Sequence, residues 1–319
     1  MTDVKKDKGK IVRDLIPDNI SECALYLGKN PGEPCSSSKA IADIGQFLNI
    51  SGSDREVMDS AKVKTGCTDE RCVLEKMSSS IAGVKKDIDL NLKIKGPQDA
   101  ELLSNVHIDK TLRQWNSRWQ KFFPYNFNML NYASYSYVDG RTIHRPDSLA
   151  TILFSDLCSG EHDGKKYDCC GCVINSDTYQ GSGKHWMALF ADARGGKWSV
   201  EFFNSSGNAP APEWVSWMEK TKVALENRAE NDTDTNPVDV VKVSSIRHQR
   251  SKSECGLYSL FYIWARIHGI PYSFFDKNHI PDSLMFEFRQ HLFDDPNREN
   301  VEKFDWEKFK KTVNIKWES

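Results

Sequence analysis

Residues 183–204 read GKHWMALFADARGGKWSVEFFN. Two apolar runs, Trp186–Phe190 and Trp198–Phe203, flank Ala193-Arg194-Gly195-Gly196-Lys197, whose paired glycines suit a tight hairpin turn. If the two strands pair through that turn, their far ends meet. His185, just before the first strand, then stands beside Asn204, just after the second. Further strand-like runs are expected at Ala150–Leu157, Gly171–Ile174 and Val238–Val243. Helical patterns surround them. Leu112, Trp115, Trp119, Phe122 and Phe123 recur in steps of three and four behind Asp109-Lys110-Thr111. Pro212 suits the first turn of a helix through Trp214, Val215, Met218 and Leu225. Cys255–Ile267 is apolar nearly all round, as a buried helix should be, and a last helix is expected at Asp282–Leu292. Helices packed on a mostly antiparallel sheet make this part of the chain α+β.

The N-terminal part is built from other material. Before residue 105 the only aromatics are Tyr26 and Phe47, whereas all nine tryptophans lie from Trp115 onward. We therefore divide the chain into a helical arm, residues 1–104, and a core, residues 105–319. The boundary falls near the polar, Gly-Pro-punctuated stretch Lys93–Asp99. In the arm, Asn19 could cap a turn ending at Gly28. Ser36-Ser37-Ser38 precede Ala40, Ile41, Ile44, Phe47 and Leu48 at helical spacing, Ser53 and Glu56 have the form of a capping box, and Thr68 could cap a helix holding Cys72, Val73 and Met77. Residues 1–10 are expected to fray, and their lysines, interleaved with acids, to be solvated.

Composition narrows the function. The chain has 319 residues, is 39% apolar and 28% charged, and carries a net charge of −2, ordinary for a globular protein and not the basic balance of a dedicated nucleic-acid binder. No run approaches the roughly 18 apolar residues of a membrane helix, and no apolar stretch follows the N-terminal MTDVKKDKGK as in a secretory signal. Nine cysteines without such a signal are therefore expected to be reduced thiols. Cys169-Cys170-Gly171-Cys172 contains a C-x-x-C, but zinc needs four ligands and no second pair at suitable spacing is visible, so no metal or cofactor is expected.

Gln249-Arg250-Ser251-Lys252-Ser253-Glu254-Cys255-Gly256 carries the chemistry. With Ser253 capping the helix, Cys255 would lie in its first turn, where N–H groups and the helix dipole stabilise a thiolate. A lone cysteine there is more often a core residue, but a thiolate nucleophile with a base is a different matter. His185 can be that base. The Asn204 side-chain oxygen can fix its tautomer, and the Gln249 amide, six residues before Cys255, can join the nucleophile's N–H in an oxyanion hole. Asp192, the other candidate third member, lies near the hairpin turn and not at the strand ends.

The segments GSGKHW, FFNSSGN and IRHQRSKSECGLYSLFYIWAR, with SECALYLG, GCTDERCV, TLRQWNSRWQKFF and FRQHLF elsewhere, resemble the viral members of the Ulp1/SUMO-protease and adenain-type cysteine peptidases. The resemblance covers most of the chain and implies a helical arm before an Ulp1-like core. It makes His185 the base, Asn204 its orienting partner, Cys255 the nucleophile and Gln249 the oxyanion donor. It also supports Trp186 as a flat wall over the substrate cleft, where its plain reading is a core tryptophan. Asn204-Ser205 stands where cellular relatives usually have Asp, favouring the viral branch. The implied activity is cleavage of virion core polyprotein precursors after Gly-Gly, in the host cytoplasm and the virion of a large DNA virus, with no membrane or nucleic-acid partner. Removal of SUMO or ubiquitin-like modifiers, and an inactive structural virion protein, are the alternatives. The tail from Asp294 to Ser319 has no role in this reading.

Overall fold

The computed structural model describes residues 15–17, 19–97, 102–138, 140–144, 146–229, 237–294, 305, 308 and 309. The expected fraying of residues 1–10 and most of the tail beyond Asp294 lie outside them.

The N-terminal part is a cluster of short helices. After a 3-10 turn at Leu25–Leu27 come α1 (Ser38–Leu48), α2 (Asp54–Thr65), α3 (Glu70–Met77) and α4 (Val84–Asn91). Ser37 caps α1, and Ser53 with Glu56 forms the capping box of α2. α3 is capped by Asp69 and not by Thr68, and Ala24, not Asn19, precedes the 3-10 turn. Ile41, Ile44, Met58, Ala61, Val73, Leu74 and Val84 share one buried cluster. Four of the nine cysteines are paired, contrary to expectation: Cys23 with Cys35 and Cys67 with Cys72. The Cα atoms of these pairs lie 5.0 and 5.6 Å apart, within bridging reach, a proximity that cysteine count and compartment do not encode. Cys158, Cys169, Cys170, Cys172 and Cys255 are free and buried.

The two parts of the chain are in contact. Strand β1 (Ile94–Lys95) pairs in parallel with β9 (Phe293–Asp294). Gly96 makes this approach possible, since a β-carbon there would lie 2.4 Å from Phe293 Cβ. Lys93 Nζ donates to Gln290 O, and the Gln114 amide donates to Asp89 O and Leu92 O. Trp264 Nε1 donates to Leu15 O, and Leu15 and Ile16 join the main core cluster.

Helix α5 (Asn105–Arg118) ends earlier than its aromatic spacing suggests, and Phe122–Pro124 leaves it as strand β2. The short β3 (Ser136–Val138) and β4 (Arg141–His144) form their own hairpin. The run expected to be a strand at Ala150–Leu157 is instead two short helices, α6 (Ser148–Thr151) and α7 (Phe154–Ser159). A short, mostly apolar run does not separate strand from buried helix by periodicity, and packing on the sheet decides it.

The central sheet has the order β2-β5-β6-β7-β8, with β5 (Cys169–Asn175), β6 (Trp186–Asp192), β7 (Trp198–Phe203) and β8 (Val238–Val243). The three central strands pair antiparallel, and the outer two run parallel to their neighbours, so the sheet is mixed. Ala188, Phe190 and Phe203 face the helix α9 (Cys255–Ile267), while Met187, Leu189 and Phe202 face α7 and α8 (Pro212–Ala229). Both faces being covered explains the unbroken apolar runs in the sequence. All thirteen residues of α9 are buried. The short α10 (Ser273–Lys277) and α11 (Asp282–Leu292) close its outer side through Phe275 and Phe288. The α+β class, with a helical N-terminal part ahead of a sheet flanked by helices, therefore holds.

At its C-terminal end, α9 is fixed to the sheet by charge. Arg266 donates to both carboxylate oxygens of the fully buried Glu201 and to Asp192, and Tyr262 donates to Glu201. Cys255 lies at the other end, about 16 Å away at roughly 1.5 Å per residue.

Candidate active site

β6 and β7 pair as the hairpin predicts, with Ala188 opposite Phe203, so residues just outside their paired ends become neighbours. His185 Nε2 lies 2.8 Å from Asn204 Oδ1. The direction of that bond follows from the other end of the amide. Asn204 Nδ2 donates to Asn208 O, which fixes Oδ1 toward the ring, and Oδ1 also accepts from Ser206 N and Oγ. An amide oxygen only accepts, so Nε2 carries the proton. In neutral His185 the lone pair is then on Nδ1, and that nitrogen is the one able to take a proton from a thiol.

The loop ahead of His185 is held just as firmly. Asn175 Oδ1 accepts from Asp177 N and Lys184 N, Asp177 Oδ2 accepts from Gly183 N, and Ser176 N donates to His185 O. The backbone N–H of Thr178 and the Gly183 and Lys184 contacts hold the Asp177 carboxyl below its usual range.

Cys255 is the first residue of α9 and is 3% exposed. Ser253 does not cap the helix. Glu254 occupies that position without a side-chain cap bond, and Ser253 Oγ donates to Glu254 Oε1. The Glu254 carboxylate also receives Arg289 from α11, so a buried ion pair borders Cys255. Burial pushes the Cys255 thiol above its usual range, and the Glu254 charge adds to this. The N–H groups of Trp186, Gly256 and Cys255 oppose them. The expected stabilisation of a thiolate by the helix start is thus present but outweighed by burial. Trp186, the residue after His185, lines the same cleft as Cys255.

Gln249 is 7% exposed, and its amide is oriented by two partners: Oε1 accepts from Ser205 Oγ at 2.9 Å and Nε2 donates to Ser251 O at 3.0 Å. The N–H groups of His248 and Gln249 both donate to Ser205 O, tying this turn to the end of β7. One Nε2 hydrogen remains for a ligand beyond the Ser251 bond.

A cleft of about 410 Å³ opens at Cys255, lined among others by Leu102, Phe127, Met129, Tyr179, Lys184 and Trp186. Trp186 is partly buried, packs edge-on against Phe127 at 6.1 Å, and donates its indole N–H to Leu103 O. A larger polar groove of about 710 Å³ lies between the α1–α4 region and α5, lined by Lys39, Lys86, Asn91 and Gln120. It holds no thiol or imidazole and is not where the chemistry of Cys255 lies.

Asp192 is committed elsewhere, to Arg194 and Arg266 at the far end of β6, about 23 Å from His185 at roughly 3.3 Å per residue. Cys169, Cys170 and Cys172 sit within β5, where burial raises all three thiols above their usual range. Among the described residues no group of three His, Cys, Asp or Glu side chains could hold a metal ion. Ser205, Asn175, Asp177 and Leu103 support the site without a signal in the sequence. Each acts by holding a neighbour, and nothing in residue type or spacing marks such a part.

A model of the Ulp1 protease family C-terminal catalytic domain matches residues 159–314. A cysteine protease of African swine fever virus is 34% identical over 293 residues, covering 88% of this chain and 98% of its own. The corresponding protein of a second isolate, named as a SUMO-1 cysteine protease, matches with the same identity and coverage. The crystal structure of the African swine fever virus protease superposes with a TM-score of 0.65 at 31% identity, over 89% of this chain and 99% of that one.

Proposed function

The chain belongs to the Ulp1 protease family and is a viral cysteine protease, and from that premise we propose that it cuts virion polyprotein precursors after Gly-Gly, with His185, Asn204, Gln249 and Cys255 as its working residues. The observation that carries this reading is the His185–Asn204 bond, whose direction Asn208 fixes, at the start of the strand that lines the Cys255 cleft through Trp186. In the proposed reaction His185 Nδ1 takes the Cys255 proton and sulfur attacks the scissile carbonyl carbon. The Cys255 N–H and Gln249 Nε2 receive the oxyanion. The imidazolium returns its proton to the leaving amine as the C–N bond breaks and a thioester remains. Water, deprotonated by the same ring, then releases the acid and restores the thiol.

The Gly-Gly preference is supported by Trp186. Its ring lies on the cleft next to the catalytic histidine, and a β-carbon beneath such a roof would collide, at a cost of about 1–3 kcal/mol. The site of action in this reading is the host cytoplasm and the virion, where structural precursors are assembled. A de-SUMOylating activity is the second reading, favoured by the name given to the African swine fever virus relative. Incubation of the purified protein with virion core precursors, and in parallel with a SUMO-derived activity probe, separates the two. New termini ending in Gly-Gly in the precursors support the first. Probe capture with intact precursors supports the second.

A further inference from the structure

Leu102, Leu103 and Ser104 lead from the N-terminal helices into α5, and Leu103 reaches the catalytic cleft from that side. It is 3% exposed, and its carbonyl accepts the Trp186 indole N–H at 3.0 Å. Its side chain lies on the first turn of α9. A β-carbon placed on Gly256 would sit 3.1 Å from both Cβ and Cδ1 of Leu103 and 3.3 Å from Trp186 Cδ1. Leu103, Trp186 and Gly256 thus form a closed contact one residue from Cys255. The chain just beyond is fixed as well: Ser104 and His107 form a capping box that sets how α5 begins.

We propose that Leu103 is a positioning residue that sets the height of the Trp186 ring over the cleft, and so enforces glycine at the two positions before the scissile bond. This rests on the Gly-Gly reading given above. A tryptophan at the start of a strand, partly exposed on a cleft wall, is held by little of its own. Its N–H needs an acceptor once the ring is covered, and its χ angles need a packing partner. Leu103 supplies both, the acceptor through its carbonyl and the packing through its isobutyl group. Shortening that group leaves the carbonyl in place but opens space beside the ring where Leu103 lines the cleft. The ring can then give way to a β-carbon beneath it. Glycine selection would therefore be written partly in the segment that joins the arm to the core, outside the residues that do the chemistry.

The test is a ratio, kcat/KM for a Gly-Gly peptide over that for the matching Ala-Gly peptide, measured for the wild-type full chain, Leu103→Ala and Leu103→Met. An overpacking cost of about 1–3 kcal/mol corresponds to a wild-type ratio of roughly 5- to 150-fold. Leu103→Ala should lower that ratio about fivefold or more, mainly by improving KM for Ala-Gly. Leu103→Met, which conserves volume, should keep it. Leu103→Val serves the same comparison if the alanine variant does not fold. A folded Leu103→Ala or Leu103→Val protein with a lower Tm and an unchanged ratio would overturn the proposal and leave Leu103 an ordinary core residue. Equal cleavage of both peptides by the wild type would instead remove the Gly-Gly reading on which the proposal stands, and the two failures are distinct.

Discussion

Replacing Asn204 with alanine deletes an acceptor shared by three donors, His185 Nε2 at 2.8 Å, Ser206 N at 3.0 Å and Ser206 Oγ at 2.9 Å. Ser206 lies on a partly exposed turn where water can replace Asn204, so the loss falls on His185. Without Oδ1 the neutral ring is free to put its proton on Nδ1, the tautomer that cannot accept from Cys255. The imidazolium formed during reaction also loses a charge-assisted bond, worth about 1.5–3 kcal/mol. Converted to rate, that is roughly a 10- to 150-fold loss in kcat/KM, carried by kcat because the bond strengthens as the ring becomes charged. Asn204→Asp keeps the acceptor and adds a negative charge, but sets a carboxylate oxygen against Asn208 O, which now receives Nδ2 at 2.9 Å. It should stay within about tenfold of wild type and move the acid limb of the pH–rate profile upward, since a carboxylate favours the imidazolium. A fluorogenic Gly-Gly peptide followed from pH 5 to 9, with thermal melts to show that each variant is folded, gives the answer. An alanine variant within threefold of wild type, or an aspartate variant as slow as alanine, would refute the orienting role.

Cys255→Ala should lose all hydrolysis while melting close to wild type, because only a sulfur leaves a helix start; residual turnover at a comparable rate on a Gly-Gly peptide would contradict it. Gln249→Ala should lower kcat by roughly 10²–10³ with a smaller change in KM, whereas a loss confined to KM would make Gln249 a substrate-positioning group. Arg266→Met strands the fully buried Glu201 and should cost about 3–5 kcal/mol in denaturant unfolding, with Glu201→Gln in the same chain recovering part of it. His248, 1% exposed, is held neutral down to about pH 4 by burial and by the nearby His279. Its folded-state pKa is depressed, so its contribution is complete above about pH 6.5 and is lost as pH falls toward 4, by about 3 kcal/mol in all. His248→Asn, which can still accept the Ile280 N–H, should flatten stability across that window, and an unchanged pH dependence would show that other groups cause it.

Legibility in the sequence followed the length scale of each interaction. Helices α9 and α11 and strands β7 and β8 have the bounds their apolar runs suggest, α9 and β7 as almost wholly buried segments, α11 and β8 as partly buried ones. The hairpin that brings His185 to Asn204 was legible because its turn and both strands lie within 20 residues. Residues 150–157 were misread because a short apolar run fits a strand and a buried helix equally well. The parallel pairing of β8 with β7 follows from the α8 crossover between them, and that of β2 with β5 spans the segment holding β3, β4, α6 and α7, so neither is set within a single hairpin. Disulfide pairing failed for a related reason. A rule about compartments carries no distances, and Cys23 meets Cys35 only once the turn between them has formed. Ser205, Asn175 and Leu103 were invisible because a supporting residue is defined by what it touches.

The most direct measurement is labelling with a peptide that ends in Gly-Gly and carries a vinyl sulfone in place of the scissile amide, read by intact mass and peptide mapping. The account predicts a single adduct, on Cys255, although Cys158, Cys169, Cys170 and Cys172 are also free thiols. That adduct should be absent from Cys255→Ala and slow to form in Asn204→Ala. No adduct on the folded wild-type chain, or an adduct on another cysteine with Cys255 unmodified, would contradict it.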